Sequence, residues 1–310
     1  MKYVLLVLLC ACDGISSHPQ AVDARPEPDA PPDAGHFVRH YVIDSMLYPT
    51  SLTQGREWSV DFTGEGVPDN TFGSTLLTLA GYGVPTQKST DTKVNDGTVL
   101  LLAELTSESP DFADAPATFT LFGGANPTPP ACHNAKCRLH LDGNGTFDLD
   151  PTAIHDTPVA GVLTGTTMLS EPGHLVVTLG LGAAAVQISL IGARVRIDTT
   201  TPVAASGTIM GGITKEQLDQ RLAPALADAI DAEVARDCSG GAGGCFCAAG
   251  TNGQRLQLRY DDNHDCHVRL LEFVANNDVA VKLTPDAMVE GVAVSTLAFH
   301  FTAVTGTFTP

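Results

Sequence analysis

Short runs of apolar and β-branched residues recur from residue 37 to residue 199. They cover 98–105, 117–122, 138–141, 146–149, 161–168, 174–179 and 185–197, and clusters of Gly, Pro, Asn and Asp separate them. Spacing of this kind predicts the strands of a sandwich or a barrel-like core. Near the C-terminus Leu297, Phe299, Phe301 and Ala303 alternate with Ala298, His300 and Thr302. That is the period of a half-buried strand, expected to close the β-core with His300 on the opposite face. Between two of the earlier runs, Asp142-Gly143-Asn144-Gly145 supplies the positive-φ residues of a tight hairpin, with a calcium loop as the other use of the same residues.

Two segments carry the helical period instead. Residues 71–80 form one, capped by Asn70 and stopped by Gly81 and Gly83. The longer one opens with Thr214-Lys215-Glu216-Gln217, a capping box, after which Leu218, Leu222, Leu226, Ile230 and Val234 make a continuous apolar stripe. Pro224 interrupts that stripe, so the helix is expected to be kinked or split there. The fold class expected is therefore mainly β, with a sandwich or barrel-like core. A few helices join it: one long and amphipathic, and an EF-hand-like helix-loop-helix in a Cys-rich helical subregion at 213–277.

The first residues add a location. Met1-Lys2 precedes an apolar run that ends at Asp13, about half the length a spanning helix needs, so it reads as a targeting segment. Leu9-Cys10-Ala11-Cys12 resembles the bacterial lipobox, which implies a signal peptide at 1–11 and diacylglycerol on the sulfur of Cys12. An ordinary secretory peptide cut nearby is the alternative, and both readings export the chain. Residues 12–36, with Arg25-Pro26-Glu27-Pro28-Asp29-Ala30-Pro31-Pro32, have almost nothing to bury and read as a solvated tether to a β-rich domain at 37–310. The expected setting is the cell envelope, with the lipid anchor holding the chain to a membrane on the periplasmic side or at the outer membrane. A formal net charge of −18 lacks the clustered Lys and Arg of a nucleic-acid footprint, and it suits solubility, divalent cations or cationic partners.

An exported chain also meets an oxidising compartment, which changes the reading of its cysteines. Cys132, Cys137, Cys238, Cys245, Cys247 and Cys266 remain after Cys10 and Cys12 are set aside, and we read them as disulfides. The pairings expected are Cys132 with Cys137, Cys238 with Cys247 and Cys245 with Cys266. A zinc site drawn from Cys245, Cys247, Cys266 and His264 or His267 is the competing use, although its spacing matches no structural zinc pattern.

Candidate chemistry concentrates in two acidic loops. From Asp261 to Glu272, oxygen-bearing side chains fall at positions 1, 3 and 5 (Asp261, Asn263, Asp265), His267 stands at position 7, an apolar Val268 at 8 and Glu272 at 12. This is the pattern with which an EF-hand wraps calcium in oxygen. Two positions depart from it: Cys266 replaces the turn glycine, and Arg269 brings a positive charge to position 9. A cysteine at positive φ costs on the order of 1 kcal/mol, which a disulfide could sustain. The second loop has Asp61, Thr63, Glu65 and Asp69 at positions 1, 3, 5 and 9 with Gly66 at the turn, and resembles the short Asp-rich calcium repeats of extracellular proteins. Calcium is the cofactor expected at both.

Enzymatic signatures are missing: there is no Gly-x-Ser-x-Gly elbow, His-Glu-x-x-His helix, phosphate-binding glycine loop or dinucleotide fingerprint. The lipobox, the tether, Gly211-Gly212-Ile213-Thr214, Asp237-Cys238, Cys245-Phe246-Cys247, Asp265-Cys266 and Phe301-Thr302-Ala303-Val304 together resemble a group of uncharacterised myxobacterial-type lipoproteins with EF-hand-like loops. The resemblance implies architecture and location only. Some members carry fuller Asp/Asn loops at the two candidate positions, which implies partial decay here. The expected function is a non-catalytic, calcium-stabilised, disulfide-braced domain on a lipid anchor, acting in binding or envelope structure, with the membrane as its partner through that anchor and any protein or glycan partner left open. A secreted hydrolase, carbohydrate-active in type, is the alternative.

Overall fold

The alternating strands find their partners by closing on one another. In the computed structural model, residues 36–132, 138–153, 157–241 and 244–309 are described. The signal segment, Cys12, the tether before residue 36 and the Cys132 to Cys137 pairing lie outside the described residues.

In chain order the strands are β1 (Phe37–Leu47), β2 (Leu101–Ser107), β3 (Pro116–Thr128), β4 (Gly145–Leu149), β5 (Val159–Thr164), β6 (Thr167–Ser170), β7 (Gly173–Leu181), β8 (Ala184–Thr200) and β9 (Ala204–Thr214), followed by β10 (Cys238–Gly241), β11 (Gly244–Cys247), β12 (Ala287–Val289) and β13 (Val292–Thr307). Eight of them form a closed antiparallel ring in the order β1, β2, β3, β5, β6, β8, β9, β13 and back to β1. The core is thus barrel-like, which leaves the ring without a free edge. β4 bridges β3 and the end of β13, β7 extends the sheet beside the first half of β8, and β12 pairs with the start of β13. β10 and β11 form a separate hairpin.

Register decides what fills the ring. Tyr41, Phe119, Leu163, Ile197, Ile209 and Phe301 share the inner face and are all buried. Phe119 and Phe301, from non-adjacent strands, meet with ring centroids 6.2 Å apart. Tyr41 reaches across to donate a 2.7 Å hydrogen bond to the Thr201 carbonyl, so its hydroxyl is satisfied inside the barrel.

The helices occupy two long connections. α1 (Leu52–Glu57), α2 (Thr71–Tyr82) and α3 (Thr86–Asn95) join β1 to β2. α4 (Lys215–Gln217), α5 (Ala223–Asp237), α6 (Asn252–Tyr260), α7 (Leu270–Ala275) and α8 (Asn277–Lys282) lie between β9 and β12. β1 and β9 both run antiparallel to β13 and finish toward its beginning, so both groups emerge at one end of the barrel. There they pack on each other: Asn252 donates to the Gly83 carbonyl, Thr71 to Asp286, and the Arg259 guanidinium lies 4.0 Å from the Tyr82 ring centroid.

The helix signals behave largely as the sequence predicts. Asn70 accepts from the Gly73 N–H at 3.2 Å, and Gly83 ends α2 at φ +102°. Thr214 accepts from the Gln217 N–H, but the Gln217 side chain binds the Ser189 backbone instead of completing the box. Pro224 has no N–H to give, and the turn before it is a π-helical one, Leu218–Leu222, with the Ala223 N–H reaching back to Leu218. The apolar stripe from Leu218 to Val234 is buried throughout.

Two local expectations are corrected. Residues 138–141 are not a strand: Leu139–Leu141 is a 3-10 turn, and Asp142 to Gly145 leads into β4 rather than joining a hairpin. The adjacent residues His140 and Leu141 are both buried, which a two-residue alternation cannot achieve against one core. Residues 161–168 are not one strand either, because Gly165 at φ +58° turns β5 back into β6. His300 does point outward, yet it has neighbours there: Trp58 at 5.5 Å between ring centroids and the Asp198 carboxylate at 3.8 Å.

The buried His140 gives a pH dependence. Its ring is fully buried, and burial pushes its pKa below the ordinary histidine value, outweighing the Val94 backbone beside it, as burial also does for His300. A lowered folded-state pKa means the unfolded chain binds protons more readily. The neutral form is therefore favourable above about pH 6.5, and stability falls as pH drops below that value toward the folded-state pKa. Denaturant midpoints measured from pH 7 to pH 5 should decline, and His140→Gln should flatten part of that slope; an unchanged slope in the variant would refute the assignment.

Candidate metal-binding loops and the disulfide cluster

The loop of residues 261–269 joins α6 to α7, and its first carboxylate organises it. Asp261, 1 % exposed, accepts the N–H of Asp265 at 3.1 Å through Oδ1 and that of Cys266 at 3.0 Å through Oδ2. Gln257, one turn earlier on α6, donates to the same Oδ2 at 3.2 Å and to His264 Nδ1 at 2.9 Å. Asn263 Oδ1 accepts the Asp265 N–H as well, and Asp265 accepts the N–H of His267. His264 and Cys266 take positive φ, +59° and +66°. The cysteine thus adopts the conformation a glycine would otherwise supply.

The loop that begins at Asp61 joins α1 to α2 and repeats this arrangement. Asp61 accepts the N–H groups of Gly64, Glu65 and Gly66, and the positive φ values fall at Gly64 (+79°) and Gly66 (+83°). In both loops the carboxylate of position 1 holds the N–H groups of positions 5 and 6, and the chain turns left-handed at positions 4 and 6. The Gly66 N–H, helped by those of its neighbours and the Thr63 hydroxyl, holds the Asp61 carboxyl below the usual carboxylate range.

The remaining oxygen donors are engaged elsewhere. Glu272 accepts the Arg269 N–H at 2.9 Å as a cap of α7, and Asp265 pairs with Arg269 at 2.6 Å. Partial desolvation of Asp265 works against ionisation, but the Arg269 guanidinium prevails and lowers its pKa. His267 Nδ1 lies 3.2 Å from Asp231, whose carboxylate also accepts the Val268 N–H. In the other loop Thr63 donates its hydroxyl to Asp61, and Asp69 accepts the N–H groups of Phe62 and Thr63. Among the described residues no three carboxylates of either loop converge; the side chains of metal-ligating type that do are Cys238, Cys245 and Cys247, with sulfurs within 4.8 Å of one another.

Those sulfurs are oxidised. Cys238 is bonded to Cys247, cross-strand partners in the β10–β11 hairpin, and Cys245 is bonded to Cys266. Both pairings are the ones expected, and they exclude a thiolate zinc site in this oxidised state. Cys132 is also disulfide-bonded. The Cys245–Cys266 bond ties position 6 of the acidic loop to the hairpin. Sequence reasoning missed Asp231 and Gln257, although Gln257 stands four residues before Asp261, the spacing of neighbours on a helix face.

Four surface cavities among the described residues each bring in a single carboxylate: Glu233, Asp286, Glu216 or Asp150. Among these residues no helix is long and apolar enough to cross a membrane. Comparison of the chain with protein-family models, curated proteins and solved structures finds no match.

The buried Asp261 should matter to folding whether or not an ion is present. Hydrogen bonds to a charged acceptor contribute about 1.5–3 kcal/mol, so Asp261→Ala should destabilise the protein by roughly that amount in chelator. Asp61→Ala, in an exposed loop, should cost less. Urea melts of the two variants check the order, and an equal or reversed cost would contradict the organising role of Asp261.

Proposed function

We propose that the mature chain is a lipid-anchored envelope protein with a binding or structural role, in which a barrel carries a helical cap stabilised by calcium. The observation that carries the calcium part is the repeated loop backbone. Two unrelated segments place a carboxylate at position 1 on the N–H groups of positions 5 and 6, with left-handed residues at 4 and 6. That arrangement sets the position-1 carboxylate inside a tightly turned loop in both segments, the backbone form from which an oxygen-ligating calcium loop is built. Loading the loop of residues 261–272 then needs Asp265 to leave Arg269 and Glu272 to leave the α7 cap. Both exchanges weaken affinity, which places the dissociation constant at roughly 10⁻⁴ to 10⁻³ M, the range of extracellular modules. The export part rests on the lipobox-like Cys12 and the unburiable tether, together with disulfides that suit an oxidising compartment.

Calcium in 100-fold excess over its dissociation constant should stabilise the fold by about 2.7 kcal/mol. In a calcium titration of the melting temperature with magnesium as control, Glu272→Gln should lose most of the shift, because position 12 normally gives two oxygens. Arg269→Ala should enlarge it by freeing Asp265, and Asp61→Ala should remove only the share of the weaker loop. No calcium-specific shift in the wild type would overturn the calcium reading.

Anchoring has its own test. Cys12→Ser should move the protein from the membrane fraction to the soluble envelope or medium fraction, since stable retention depends on the several acyl chains a lipoprotein carries. Membrane fractionation unchanged by the substitution would refute the anchor.

A further inference from the structure

Four cysteine sulfurs meet on one side of the β10–β11 hairpin. Cys238 and Cys247 face each other across the ladder, and Cys245, two residues before Cys247, points to the same face. The Cys245 and Cys247 sulfurs, which belong to different disulfides, lie only 4.0 Å apart. Cys238, Cys245 and Cys247 are mutually within 4.8 Å, and Cys266 joins the group through its bond to Cys245. A tetrahedral zinc centre with four thiolates at about 2.3 Å sets its sulfurs about 3.8 Å apart. The spacing between the two disulfides already matches that figure, and the bonded pairs need only part to it.

We infer that reduction of both disulfides converts Cys238, Cys245, Cys247 and Cys266 into a tetrathiolate site for a soft divalent cation of the zinc class. Backbone contacts independent of the S–S bonds also position the four ligands. The antiparallel ladder fixes Cys238 opposite Cys247 and Gly240 opposite Cys245, the Ala248 N–H closes the hairpin on the Asp237 carbonyl, and the Cys266 N–H is held by Asp261. Cys238, Cys245 and Cys247 are partly exposed, so a reductant reaches at least one sulfur of each disulfide, whereas Cys266 is 6 % exposed.

The reductant is a dithiol. One of its thiolates attacks an exposed sulfur, the protein S–S bond breaks, and a mixed disulfide forms. Its second thiolate resolves that bond, leaving the reductant as a cyclic disulfide and the protein with two thiols. Two dithiols deliver the four electrons that two disulfides need. The cation then displaces the four thiol protons to solvent, so binding tightens as pH rises. This inference does not rest on the calcium reading, whose ligands are oxygens.

The test uses the mature protein reduced with excess dithiothreitol without air, freed of reductant and titrated with Co²⁺. One ion per chain should bind with the visible and near-ultraviolet absorption of tetrahedral cobalt thiolate, and Zn²⁺ should bleach it. The oxidised protein should show none of this. Cys247→Ser and Cys238→Ser should each lose the four-sulfur spectrum, while Cys132→Ser, outside the cluster, should keep it. If the reduced chain loses its near-ultraviolet circular dichroism and Zn²⁺ restores it, the site is supported. The inference fails if no cobalt thiolate spectrum forms, if it survives in the Cys238→Ser, Cys247→Ser double variant, or if Zn²⁺ does not restore a reduced chain that has unfolded.

Discussion

The C-terminal strand β13 is the constraint on which the rest of the molecule depends. It pairs with β9 over its first two-thirds and with β1 along its second half, and it alone joins β1 to β9 in the ring. Without it the sheet has two open edges and the inner side chains of opposite walls, such as Phe119 and Phe301, have no enclosed space to share. Closure therefore lets the inner faces of all eight strands share one core. The outer side of β13 is used as well: Asn70 pairs with both backbone groups of Ala298, and Asp286 holds Thr296, so the helical cap is seated on the closing strand itself.

That seating explains why the two acidic loops belong to the cap. Each lies between helices that the barrel positions but does not cover, and each is organised by one carboxylate that collects backbone N–H groups. Such an arrangement satisfies donors that a short loop would otherwise leave unpaired. The remaining carboxylates serve other ends, Asp265 in an ion pair and Glu272 at a helix start. In the calcium reading proposed above, an ion would compete with these internal partners for the same oxygens.

The two disulfides add a second tie. A hairpin as short as β10–β11 has no hydrophobic face of its own, with Phe246 60 % exposed, and covalent pairing substitutes for the missing core. Through Cys266 the same hairpin holds the left-handed turn of the acidic loop, so the sulfur cluster and the oxygen-rich loop share one residue.

The sequence by itself determined the strand-rich class, the α2 caps, the buried stripe of α5 and the alternation of β13, because each follows from contacts within a few residues. It also placed a cysteine at the turn position of the acidic loop, where the left-handed backbone and its disulfide are found. Ring closure was a matter for tertiary structure, since a strand pattern is the same in a sandwich and in a barrel and only the pairing of β1 with β13 distinguishes them. The short run at 138–141 misled for the same reason: its apolar residues are buried side by side in a 3-10 turn, against neighbours that local spacing cannot reveal. Asp231, Gln257 and the Trp58 contact of His300 were decided there too, and so was the engagement of Glu272 as a helix cap. A side chain's partner depends on what the fold brings into contact with it, which is a property of the folded chain and not of its spacing along the sequence.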